Sequence, residues 1–197
     1  MSAQAARKIR PVADVELMRQ LASGDLTALG QLYDRYSDDV RRFAYRATGR
    51  AEVADDIAHD AFLALAGAAE RYDGEHPVRS FLLGIVAKLV LRRKRSLAQR
   101  LRSLALFGAT TERASEPTPE DETGSRLELE RFSMALDRLS PAKRLVVLLC
   151  DVEGLSGEQV AGALDIPLGT VWTRLHYGRR ELRKVLARPP RAKGGAA

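Results

Sequence analysis

Cysteine is almost missing from this chain: Cys150 is the single example in 197 residues. That excludes an internal disulfide framework and suits a reducing compartment. Histidine is scarce and dispersed, at His59, His76 and His176. No His-x-x-x-His pair, paired cysteine or glycine-rich phosphate cradle occurs, so no metal site and no cofactor is expected. Nothing resembles a Ser-His-Asp set either, and the chain reads as a protein that is not an enzyme. Long apolar runs are also lacking. The longest, "LVVLLC" (145–150) and "FLLGIVAKLVL" (81–91), fall short of the roughly 18–20 residues that a membrane span needs. The stretch "MSAQAARKIRPVAD" is basic with no apolar core behind it, so no secretory leader is read there and a cytoplasmic location is expected. Alternating strand patterns and Asn-Gly hairpin signals are absent. An all-α protein is what remains.

What is present is charge and helical period. Hydrophobic residues make up 45% of the chain, enough for packed cores, and the net charge is +6 with a pI near 9.8. That balance favours a polyanionic partner, nucleic acid before a membrane surface. A short amphipathic turn from Asp14 to about Leu21 ends at "ASGD", where Gly24 stops it and Asp25 can cap the next helix. A helix over 26–48 repeats apolar residues at Leu29, Leu32, Tyr33, Tyr36, Val40, Phe43 and Ala44, and Gly49 closes it. A third, over about 51–70, carries Val53, Ile57, Ala61, Phe62, Leu65 and Ala66 at helical spacing. The loop "RYDGEHP" (71–77) follows, then a helix from about Val78 that runs into six Lys or Arg among residues 92–102.

Composition then shifts. "GATTERASEPTPEDETGS" (108–125) has no apolar period and reads as a flexible acidic linker, with five acids against two arginines between Glu112 and Arg126. Extended from Arg102 to Ser125 it would span roughly 75 Å at about 3.3 Å per residue, about two turns of DNA at ~35 Å each. The expected organisation is therefore a disordered N-terminus (1–13), a first helical domain (14–102), a linker (103–125), a second helical domain (126–187) and a disordered tail (188–197).

The second domain is punctuated as a helix-turn-helix. A helix over about 127–139 ends at "LSP", where Ser140 can cap and Pro141 takes the first position of the next helix, which Gly154 stops. Ser156 and Gln159 form a candidate capping box before "EQVAGAL". "DIP" makes the turn, and a basic helix runs from about Gly169 to Ala187. At 100° per residue, Val171, Leu175, Gly178, Leu182, Val185 and Leu186 share its packing face. Thr173, His176, Tyr177, Arg180 and Lys184 lie opposite, Trp172 and Arg179 on one flank, Arg174 on the other. Hydroxyl, imidazole and phenol groups near a helix N-terminus suit base edges in a major groove, and Thr or Trp can meet a thymine methyl. Arg174, Arg179, Arg180 and Lys184 suit phosphates. The alternative for Trp172 is a cap over the domain's own core.

The stretch "LSPAKRLVVLLCDVEGLSGEQVAGALDIPLGTVWTRLHYGRREL" resembles region 4 of sigma factors of the sigma-70 family, extracytoplasmic-function (ECF) group. "LYDRYSDDVRRFAYR", "AEVADDIAHDAFLAL" and "VRSFLLGIVAKLV" are similar to successive parts of region 2. The resemblance covers about residues 14–102 and 126–187. It implies a subunit that binds core RNA polymerase and directs promoter-specific initiation, with region 2 reading and melting the −10 element and region 4 reading the −35 element. Core RNA polymerase and promoter DNA are the implied partners, and an anti-sigma protein is a further one. By motif position Asp56, His59 and Asp60 correspond to the core-polymerase docking face, and their spacing puts them on one side of a helix. An ordinary solvated acidic face is the alternative.

The −10 residues implied are Tyr72 and His76, for stacking on or bonding a flipped base, with Arg79, Lys88, Arg92 and Arg93 holding the single strand. Thr170, Trp172, Thr173, Arg174, His176, Tyr177, Arg179, Arg180 and Lys184 form the implied −35 set. The sequence departs from the pattern in places. Phe81 stands for the usual Trp, Leu83 for an aromatic and Lys88 for Asn. Trp172 stands for Arg or Lys, and His176 and Tyr177 are atypical. Neither promoter sequence carries over. The rival reading is an ordinary helix-turn-helix regulator acting as a dimer without polymerase, which leaves the region 2 match and the acidic linker unexplained. A basic membrane-surface protein leaves the helix-turn-helix punctuation unexplained.

Overall fold

The structure is a computed structural model, and it describes residues 13–105 and 125–187. Eight α-helices account for most of them. These are α1 (Asp14–Ala22), α2 (Leu26–Thr48), α3 (Ala51–Ala68), α4 (Val78–Ala105), α5 (Ser125–Asp137), α6 (Pro141–Val147), α7 (Gly157–Leu164) and α8 (Leu168–Leu186). A 3-10 turn, Ala69–Arg71, extends α3, and a π-helical turn, Leu148–Val152, extends α6. No strand occurs among the described residues. The expected linker lies outside them except at its edges, as do both tails.

Local chemistry accounts for the helix ends. Asp25 accepts from the Thr27 backbone N–H at 2.9 Å and caps α2. Gly24, Gly49 and Gly154 adopt positive φ (94°, 74° and 73°), where a side chain would be strained, and each ends a helical run. The capping box of α7 is complete: Gln159 N–H donates to Ser156 Oγ at 3.2 Å, and Ser156 N–H donates to Gln159 Oε1 at 2.8 Å. Ser140 does precede α6, with Pro141 at the first position, but its hydroxyl makes no capping bond. The α6 segment also does not run as one α-helix to Gly154, because its last turn widens to i→i+5 bonding.

Helices α1–α4 bury Leu17, Met18, Leu32, Phe43, Ile57, Leu65, Leu82 and Leu83. Helices α5–α8 and the π turn bury Leu136, Leu145, Leu148, Leu149, Val160, Val171 and Leu175. Asp14 ties α1 to α2 by bonding Arg35 and the Tyr36 hydroxyl. Burial, with that acceptor, pushes the Tyr36 phenol up to about 12.

The two halves pack on one another and their apolar residues form one cluster. Helix α4 meets α7 and α6, and α2 meets α6 and the π turn. Gly84 makes the α4–α7 approach feasible, since a Cβ there would lie 2.8 Å from Ala163 Cβ and 3.2 Å from its Cα. Arg144 is only 3% exposed. It donates to Leu136 O at 2.8 Å and to Ala47 O, near the end of α2, at 3.1 Å, and it pairs with Asp137. Glu153 follows the π turn, and its side chain is 5% exposed. It pairs with Arg46 of α2 at 3.1 Å and with Arg79 of α4. Arg79 Nε also donates to Asp39 at 2.7 Å. That bond holds the Asp39 carboxyl below its ordinary range, Arg42 adding to it.

Gly84→Ala is expected to force α7 away from α4 and raise the radius of gyration in X-ray scattering, with far-UV circular dichroism unchanged. An unaltered radius would mean that α4 and α7 absorb the methyl without parting.

Candidate nucleic-acid interface

Helix α7, its turn and α8 build the helix-turn-helix. Asp165 turns the chain in the left-handed conformation (φ 55°). Ile166 N–H then reaches Ala161 O at 3.1 Å and Asp165 N–H reaches Gly162 O at 3.3 Å, the pair of bonds that closes a helix sharply. Val171, Leu175, Gly178 and Leu182 are buried against α5, α6 and α7, as their spacing predicts. Gly178 is a close approach, because a Cβ would lie 2.7 Å from Val147 Cγ2. Leu186, expected on this face, is exposed.

The opposite face carries Trp172, Thr173, His176, Tyr177, Arg180 and Lys184, all exposed, beside half-buried Thr170 and Arg174. The aromatic groups are ordered by their neighbours. His176 and Tyr177 meet edge to face at 5.4 Å, and Lys143 Nζ and Arg180 Cζ lie 5.9 and 5.8 Å from the Tyr177 ring centre. Such contacts are worth about 0.5–1 kcal/mol at exposed sites. Lys143 also pairs with Glu181 at 2.5 Å. Thr173 donates its hydroxyl to Gly169 O at 2.8 Å, so its methyl is what it presents outward. Arg179 is not a free phosphate ligand in this state. Its guanidinium bonds Asp151 of the π turn at 2.5–3.2 Å, and that bond raises its pKa. Trp172 is 50% exposed and rests one ring edge against Gly157.

In the first half, Asp56, His59 and Asp60 are exposed along one side of α3, as the i, i+3, i+4 spacing predicts. Leu63 continues that stripe one turn on and is 58% exposed. Leu63 stands seven, four and three residues after Asp56, His59 and Asp60, so its spacing was the signal that places it on their side, and sequence reasoning missed it. The residues implied for the −10 element do not form one open surface. His76, Lys88 and Arg92 are exposed. Tyr72 is half-buried, stacks edge to face on Phe81 at 5.3 Å and donates its hydroxyl to His76 O at 2.5 Å, bracing the loop. Phe81 thus supplies aromatic packing in the place where the family carries Trp. Arg79 is held by Asp39 and Glu153. Arg93 pairs with Asp56 at 2.9 Å, joining a residue of the −10 set to one of the docking set.

A helix-turn-helix with an exposed aromatic and cationic face, carried on a second bundle of helices, defines the class: a two-part helical DNA-binding protein. Residues 32–100 match Sigma-70 region 2, and residues 129–182 match Sigma-70, region 4. The chain is 35% identical over 172 residues to the ECF RNA polymerase sigma factor SigE of Mycolicibacterium smegmatis, a match that covers 85% of this chain and 66% of SigE. It is 32% identical over 183 residues to the RNA polymerase sigma factor CnrH of Cupriavidus metallidurans, covering 88% of this chain and 94% of CnrH. For the ECF sigma factor SigW of Bacillus subtilis the figures are 30% over 179 residues, 86% and 94%. Among solved structures, the fold is shared with the sigma factor RpoE in complex with the anti-sigma factor NepR from Bartonella quintana. That likeness has a TM-score of 0.66 at 22% identity and covers 80% of this chain and 95% of the other. CnrH in complex with the cytosolic domain of CnrY gives 0.61 at 27%, covering 88% and 96%. This chain belongs to the ECF group of RNA polymerase sigma factors, and its class is that of a transcription-initiation factor. Among the described residues no helix is long and apolar enough to cross a membrane.

Tyr72→Phe is expected to release the loop at 73–77, with a stability loss of about 1 kcal/mol for the missing bond and faster amide exchange confined to that loop. Unchanged exchange there would show that Tyr72 does not brace it.

Proposed function

We propose that this chain binds core RNA polymerase through α3 and directs it to initiate at its own promoters, as a targeting subunit and not a catalyst. The observation that carries this reading is the pairing of two matched regions on one chain, each with an exposed face of the right chemistry. The α3 stripe of Asp56, His59, Asp60 and Leu63 offers acids beside an apolar residue, a combination suited to a basic helical partner surface. The α8 face offers Thr170, Trp172, Thr173, Arg174, His176, Tyr177, Arg179, Arg180 and Lys184 to the −35 duplex. Tyr72, His76, Arg79, Lys88, Arg92 and Arg93 are the −10 set. Arg93 and Arg179, whose pairs with Asp56 and Asp151 lie at the surface, join DNA by exchanging a carboxylate for a phosphate. The domain limits 14–102 and 126–187 belong to this reading, as does a cytoplasmic site of action. An anti-sigma protein is a partner consistent with it: RpoE was solved in complex with the anti-sigma factor NepR, and CnrH in complex with the cytosolic domain of CnrY.

The purified chain is expected to comigrate with core RNA polymerase and to enable run-off transcription from a cognate promoter. A protein that bound duplex DNA as a dimer, with no affinity for core, would be the ordinary regulator instead. Asp56→Arg should weaken core binding about tenfold or more by placing like charge against a basic surface, with the melting temperature preserved. Core affinity equal to that of the unaltered chain would remove α3 from the interface. Arg180→Ala should weaken −35 binding almost equally across sequences and lower the salt slope by about one. A sequence-selective loss would make Arg180 a base reader.

A further inference from the structure

Gly157 has no backbone reason to be glycine. It is the first residue of α7, and its φ is not among the positive values found at Gly24, Gly49, Gly74 and Gly154. What it provides is space. A Cβ built on it would lie 2.6 Å from Cζ2 and 2.8 Å from Cη2 of Trp172, and 3.1 Å from Leu168 Cδ1. The bare backbone of α7 is therefore a seat for the outer edge of the only tryptophan in the chain.

The rest of the indole is not absorbed by the core. Trp172 is half exposed, on the fifth residue of α8, and its N–H bonds nothing among the described residues. It stands next to Thr173, whose hydroxyl is turned back to the helix, and one turn before His176. This is the N-terminal part of a recognition helix, where side chains reach base edges. An indole face carries no acceptor and no charge. The indole's single N–H can meet one acceptor but cannot imitate the bidentate pairing of Arg with guanine or of Asn with adenine, and its apolar face matches the thymine C5-methyl.

We propose that Gly157 positions Trp172, and that Trp172 selects a T·A pair in the −35 element by apolar contact with the thymine methyl. This rests on α8 being the −35 reader. Seating matters because a freely rotating indole would lose side-chain entropy on binding and would accept a methyl at several places. A ring already held on α7 offers one surface.

The test uses the unaltered chain assembled with core RNA polymerase on promoters obtained by selection with that holoenzyme. Each −35 thymine is replaced in turn by deoxyuridine, which removes only the methyl. One position is expected to lose about three- to fivefold in affinity, the value of one buried carbon. In Trp172→Ala that penalty disappears, while the remaining sequence preference persists. Gly157→Ala unseats the ring. It should reduce the same penalty and shift the tryptophan emission of the free protein, with helicity retained. Trp172→Phe, a smaller ring on the same seat, should keep part of the penalty if Gly157→Ala fails to fold. Equal affinity for thymine and uracil at every position would overturn the proposal and leave the −35 assignment standing, and so would a uracil penalty that survives Trp172→Ala. A holoenzyme with no preference for any −35 duplex would overturn both.

Discussion

The structure turns on a single carboxylate. Glu153 is almost wholly inside, at the point where the π turn releases the chain toward α7, and a charge there is tolerable only if it is paired. Its two partners, Arg46 and Arg79, come from α2 and α4, in the other half of the molecule. Arg79 is in turn fixed by Asp39, so the acid at 153 is the centre of a chain of bonds that runs from α2 through α4 into the second half. The wider i→i+5 turn from Leu148 to Val152 serves this pairing on both sides. Asp151 leaves it toward Arg179 on α8, and Glu153 leaves it toward the first bundle. Around this centre the halves also meet by shape, through Gly84 on Ala163, and by the burial of Arg144 against the end of α2.

Most of the helices were legible because their ends are written in local chemistry. Asp25, Gly24, Gly49, Gly154, the Ser156–Gln159 box and Pro141 each act within a few residues of themselves, and α2 runs over the residues that its period predicts. Surface stripes were legible for the same reason: Asp56, His59 and Asp60 lie together by spacing alone. What could not be read is pairing at long separation. No period connects Arg79 to Glu153, 74 residues away, or Arg93 to Asp56, 37 residues away. Each of those arginines reads from sequence as a free cation. The steric roles of Gly84 and Gly157 were equally hidden. A glycine that makes room for a distant side chain carries no local signal to separate it from one that makes a turn. The π turn was missed because its apolar run is also a good α-helix.

The same facts refine how the sites are arranged. Two surfaces are largely exposed, the α3 stripe and the outer face of α8, although Asp56 on the first is paired with Arg93 and Arg179 on the second with Asp151. The third set, around loop 71–77 and α4, is partly engaged within the protein. Tyr72 braces its own loop and Arg79 is bonded to two acids, which leaves His76, Lys88, Arg92 and Arg93 as the exposed members, the last of them paired with Asp56. Placement on a helix face therefore carried over from sequence, whereas availability did not.

The arginines already bonded to carboxylates bear on ionic exchange. On the proposed reading, a cation that moved from Asp151 or Asp56 to a DNA phosphate would free one ion from the nucleic acid but would leave behind a bare acid that attracts another. The net release of small cations at such a contact is close to zero, unlike the near-unit release for an unpaired Lys or Arg. The chain thus carries internal counterions. On the proposed reading, the number of phosphates it holds would exceed the number that the slope of affinity against salt counts.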